Sequence, residues 1–127
     1  MNAVLSPSTI ANAEAIPYTN ADEAHRLLTT ALSRFMTLIE SLHVDDWSKP
    51  TACTAWNVRD MLAHQAGGYA SGISYKEMIR QYTSKPKPGQ LPEDAINDLQ
   101  VGERADKTPA ELIAELKQIG EIAAHNW

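Results

Sequence analysis

The residue in this chain best placed to do chemistry is His64, at the end of the run Trp56-Asn57-Val58-Arg59-Asp60-Met61-Leu62-Ala63-His64. An imidazole can ligate a divalent metal or move a proton near neutral pH. Gly67 and Gly68 follow within about one helical turn and leave room beside the ring, for another backbone or for a ligand. A lone histidine is nevertheless more often a hydrogen-bonded core residue than a ligand, so spacing alone does not decide its role. A second arrangement is Glu121 with His125, four residues apart and so on one helix face, the spacing of a metal-binding pair. If these two met His64, a His–Glu–His set would leave a fourth position for water or thiolate. Their place at the C-terminal end works against a rigid site.

Other groups carry weaker signals. Cys53 precedes a helix whose positive end could lower a thiol pKa, but no paired base is identifiable, and it reads as structural. Asp45 and Asp46 are adjacent and do not face each other on a helix, so they read as turn residues rather than a dyad. Arg59, Tyr69, Tyr75 and Lys76 could line a pocket or cover the rim of a bundle. His25 and His43 sit at the two ends of a helix and are given no catalytic role.

The elements that would position His64 are helices. Pro50 biases Lys49 away from helical geometry. Asn57 is a strong N-cap, Asp60 completes a carboxylate version of the capping box, and Trp56 can staple onto Met61. These three signals start a helix at Asn57, expected to run to about Tyr82. Upstream, Asn20 with Glu23 caps a helix on which Ala24, Leu27, Leu28, Ala31, Phe35, Leu38, Ile39 and Leu42 recur at helical spacing as a buried face. The prolines of Thr83-Ser84-Lys85-Pro86-Lys87-Pro88-Gly89 break the chain. Pro92-Glu93-Asp94 opens a short helix, and Thr108-Pro109-Ala110-Glu111 is the cleanest cap of all. Leu112, Ile113, Leu116, Ile119 and Ala123 form the stripe that follows. Residues 1–19 lack period and read as a flexible tail; residues 20–127 read as one bundle.

The block Trp47-x-x-Pro50-Thr51-x-Cys53-x-x-Trp56-x-Val58-Arg59-Asp60-x-x-Ala63-His64 resembles the N-terminal domain of mycothiol-dependent maleylpyruvate isomerase-like proteins, within the DinB-like metal-binding four-helix bundles. Asp94-Ala95-Ile96-Asn97 and Thr108-Pro109-Ala110-Glu111-Leu112 resemble that family's segment between its second and third helices. The similarity covers roughly Asn20 to the C-terminus. It implies an all-α, DinB-like up-and-down bundle in which His64 is the first of three metal ligands. In the family the other two, an acidic residue and a histidine four positions on, stand on a fourth helix. This chain ends at Trp127, in or just after the third, so the last helix is expected to be incomplete or absent. By position, Glu121 and His125 fall on the third helix. The resemblance also implies a divalent cation, zinc foremost, and mycothiol as the thiol cosubstrate. The metal would activate the thiolate to attack a small electrophilic substrate, in an isomerase or S-transferase reaction.

Composition sets the outer limits. The 127 residues suffice for one domain, and 43% hydrophobic content with a single Phe favours a core of Leu, Ile, Ala and Met in helices. A net charge of −5 with interspersed signs offers no basic stripe for nucleic acid. No apolar run approaches the roughly 20 residues of a membrane span, and the N-terminus lacks the marks of a signal peptide. With its one cysteine the chain fits a reducing, cytoplasmic setting. Two function classes follow. The first is a metal-binding, mycothiol-type isomerase or transferase domain, incomplete as an enzyme. The second is a non-enzymatic helical interaction or homodimerisation module that has lost the metal site.

Overall fold

A computed structural model describes residues 12–127. The chain is all-helical there: α1 (Ala21–Glu40), α2 (Val58–Ser71), α3 (Tyr75–Tyr82), α4 (Pro92–Gly102) and α5 (Pro109–Asn126). Short 3-10 turns span Ala13–Ala15 and Val44–Asp46. The expected tail falls mostly on residues 1–11, outside the described residues; residues 12–19 are exposed. No described helix is long and apolar enough to cross a membrane.

The caps act where the sequence puts them. Asn20 accepts from the Glu23 N–H at 2.8 Å and starts α1. Thr108 accepts from Glu111 N–H at 3.2 Å, and Glu111 accepts from Thr108 N–H at 2.7 Å, opening α5 with Pro109 as its first residue. The backbone bond from Thr108 and then its hydroxyl hold the Glu111 carboxyl below its ordinary pKa. A full capping box is worth about 1 kcal/mol.

α5 is the middle of the bundle, packed against both α1 and α2. Its start lies by the start of α2, because Arg59 bonds the carbonyls of Arg104 and Lys107. Its end lies by the end of α2, because the Asn126 amide donates to Gly72 and Ile73 carbonyls at 2.9 and 3.2 Å. These two helices therefore run parallel. α1 runs against them, with His25 at Ala124 and Leu32 at Gly120. The sense of the three long helices is up, down, down, and α3 and α4 make the crossover that returns the chain to its starting end. The core joins Leu32, Ile39, Leu62, Ala63, Leu112 and Leu116, flanked by Phe35, Met36, Trp47, Tyr69 and Ile113. Each fully buried leucine contributes about 1.5–3 kcal/mol.

Two expectations are corrected. The helix begun at Asn57 does not continue to Tyr82; α2 ends at Ser71, and α3 restarts after Ser74. Ser74 is extended and accepts from Glu77 N–H at 3.2 Å, a new cap. The Gly72 and Ile73 carbonyls that a continuous helix would use are taken by Asn126. A side chain at Gly72 would meet the Trp127 indole at 2.5 Å, so glycine here admits the end of α5. The α1 face is also only partly as expected. Ile39 is buried and Phe35 packs on the core as expected, Leu32 outside the expected stripe is buried with them, and Leu27 and Leu38 are about half exposed. α1 packs chiefly on α5 alone, which needs only a narrow stripe.

Candidate functional site around His64

The loop before α2 is pinned from both sides. Val58 and Arg59 N–H groups donate to the Lys49 and Trp47 carbonyls, both at 3.0 Å. The Thr51 hydroxyl donates to the Trp56 carbonyl at 2.8 Å. Asn57 accepts from Asp60 N–H at 2.9 Å, and Asp60 accepts in return from Asn57 N–H at 3.4 Å. Trp56, expected to pack on Met61, is thereby held against His64: the rings stack with centroids 5.0 Å apart and planes 30° apart.

His64 is half-buried, and its Nδ1 is buried without a hydrogen-bond partner. A nitrogen kept from water and left unpaired is costly in a purely structural histidine. One turn on, a side chain added at Gly68 would meet nothing within 4 Å. The two glycines thus differ. Gly67 is closed, since a Cβ there would come within 2.5 Å of Gln100 Cβ on α4. Space beside the helix exists at Gly68 only.

The adjoining strip of α2, around Gly67, carries a bonded polar lattice that the sequence does not announce. Buried Gln81 donates to the Gly67 carbonyl at 3.0 Å and to Glu77 at 3.0 Å, and it accepts from Gln100 at 2.8 Å. Arg104, 7% exposed, pairs with Glu115 at 2.7 Å, and Lys107 joins the same carboxylate at 2.8 Å. Burial pushes the Glu115 pKa up, but bonds from Arg104 and Lys107 outweigh it and hold the group below its usual range. The Arg80 guanidinium, against some opposing burial, draws Glu77 down to about 2.

The remaining candidates disperse. Arg59 is spent on Asp60 and on the carbonyls leading into α5. Tyr69 stacks on Trp127 at 5.8 Å, and burial raises its pKa. Tyr75 is exposed beside a cavity of about 380 Å³ at the α2–α3 break, and Lys76 is exposed. Cys53 is exposed. Asp46 accepts from Lys49 and from His43 N–H, and those bonds lower its pKa; it is a turn residue.

Glu121 and His125 lie elsewhere. With His25 of α1 they line a cavity of about 270 Å³ at the far end of α5. Gly72, which caps the end of α2 and faces Ala123, is eight residues beyond His64, about 12 Å along the helix axis. Among the described residues, no three His, Cys, Asp or Glu side chains form a group that could hold a metal ion. His64 offers one suitable nitrogen, and the described residues by themselves do not fit a complete metal shell.

The sequence model of the family described as mycothiol maleylpyruvate isomerase N-terminal domain matches residues 28–127. No curated protein and no solved structure matches the chain. The match takes in the loop, the cap and the histidine of α2, together with the crossover and α5, and by it this chain belongs to the mycothiol maleylpyruvate isomerase N-terminal domain family.

Proposed function

We propose that this chain is a metal-ligating domain of the mycothiol-dependent isomerase or thiol S-transferase type, with His64 its contribution to the site. One observation carries the reading: a buried, unpartnered Nδ1 on a ring held by Trp56. A structural histidine in a rigid helix normally finds a partner for such a nitrogen. A ligating one keeps a lone pair free. Zinc is the expected ion and mycothiol the expected thiol. Because the described donors do not complete a metal shell, His64 is assigned a ligand role and no residue is assigned a catalytic one. The chain alone is expected to bind metal weakly and to turn over poorly.

The test is zinc content of the untagged chain carrying His125→Ala, which removes the separate histidine pair at the far end of α5, at graded zinc concentrations with and without His64→Ala, with mycothiol-dependent isomerisation of maleylpyruvate assayed in parallel. Metal uptake that falls by about tenfold or more with His64→Ala supports the reading. Uptake unaffected by the substitution refutes it and leaves family membership without the chemistry.

A further inference from the structure

The cavity at the far end of α5 holds the chain's one close pair of aromatic histidine rings among the described residues. His25 of α1 and His125 of α5 stand edge to face, with centroids 5.8 Å apart and planes at 88°. Two imidazoles sharing one zinc at about 2.1 Å in tetrahedral geometry hold their centroids roughly 5 Å apart. The centroid spacing matches that geometry to within about 1 Å; the rings must turn from their edge-to-face arrangement for two lone pairs to converge, and both residues are exposed.

The tautomer of His25 is also set. Its Nδ1 lies 3.1 Å from the Ala124 carbonyl, which can only accept, so Nδ1 carries the proton. In the neutral ring Nε2 then keeps its lone pair. A ring N–H held by a backbone carbonyl is the usual support of a ligating histidine, since it fixes orientation and raises basicity. Glu121 lies one turn before His125 and lines the same cavity, adding negative charge where a cation would sit.

We propose that His25 and His125 together bind a divalent transition-metal ion, with water completing its shell and Glu121 favouring its charge, and so clamp the start of α1 to the end of α5. This site is separate from His64 and does not depend on the reading given for it. Imidazole pairs favour copper, nickel and zinc over magnesium and calcium.

The experiment is thermal unfolding of the untagged chain with copper, nickel, zinc or magnesium, on the native sequence and on His25→Ala, His125→Ala and His64→Ala. Ligation of the folded state alone should raise Tm by roughly 5 °C near saturation. The rise is expected with copper, nickel and zinc, absent with magnesium, lost in His25→Ala and in His125→Ala, and kept in His64→Ala. Because both clamp residues are exposed, their alanine variants should melt cooperatively without metal, and that melt shows they fold. No rise in the native sequence overturns the clamp, as does a rise that survives loss of either histidine. A rise lost only in His64→Ala also overturns it and places the ion at α2. Glu121→Gln is expected to weaken the response by a few fold without abolishing it.

Discussion

Two adjoining strips of α2, around Gly67 and around His64, are built on opposite principles. On the Gly67 side Gln81, Gln100, Arg104, Glu115 and Lys107 bond one another and the helix backbone across three neighbouring helices, with Gln100 Oε1 the one lattice atom left buried and unbonded. On the His64 side an imidazole nitrogen is buried without a partner, and the next turn is open at Gly68. The first strip fixes where α4 and α5 sit. The second carries no such lattice, which under the proposed function leaves His64 available as a ligand.

The sharpest way to break this contrast is Glu115→Ala. Arg104 would be left buried without its carboxylate, and chemical denaturation should show a loss of about 3–5 kcal/mol. Gly67→Ala should cost about 1–3 kcal/mol, because its Cβ meets the Cβ of Gln100 rather than a movable tip. Acid should erode the same lattice. The Glu77 carboxyl, drawn to about 2, and the lowered Glu115 carboxyl are both depressed in the folded state. Depressed carboxylates contribute fully above their unfolded pKa, and the contribution is lost as pH falls through the folded value. Tm should therefore decline from about pH 4.5 toward pH 2, and Glu77→Gln should flatten part of that decline.

The other strip should answer differently. His64→Ala should change stability by no more than about 1 kcal/mol, losing the Trp56 stack while relieving a buried, unpaired nitrogen. Gly68→Ala should raise stability by about 0.5–1 kcal/mol, the gain of alanine over glycine in an open helix interior. Opposite signs for two adjacent glycines, read in one set of melts, would display the contrast directly.

Much of the fold was legible in the sequence because it rests on local rules. The caps at Asn20, Asn57 and Thr108 each depend on residues three apart, and each acts as expected. The α2–α3 break was missed because its decisive partner is Asn126, over fifty residues away, although Gly72 followed by Ser74 and Glu77 offered a local clue. Only part of the α1 stripe, Phe35 and Ile39, reaches the core, because periodicity does not say how many neighbours a helix has; Leu32, outside the stripe, is buried by a close approach at Gly120. The glutamine lattice could not be foreseen, since Gln81 and Gln100 look like surface residues until α3 and α4 fold back. At the site, His64 and its helix were readable, but the stack from Trp56 was not. Glu121 and His125 have metal-ligand spacing in sequence, yet the parallel course of α2 and α5 sets them beside His25 instead.

The most direct test of the claim that His64 is held for ligation is its imidazole nitrogen NMR spectrum during a zinc titration, with mycothiol present. His64→Ala identifies its signals. If the account holds, free His64 shows an Nδ1 without the signature of a strong hydrogen bond, and its nitrogens shift progressively as zinc is added. If the His64 signals stay fixed at zinc concentrations that move those of the other histidines, it is an ordinary packing residue, and the His64 face of α2 has no metal chemistry.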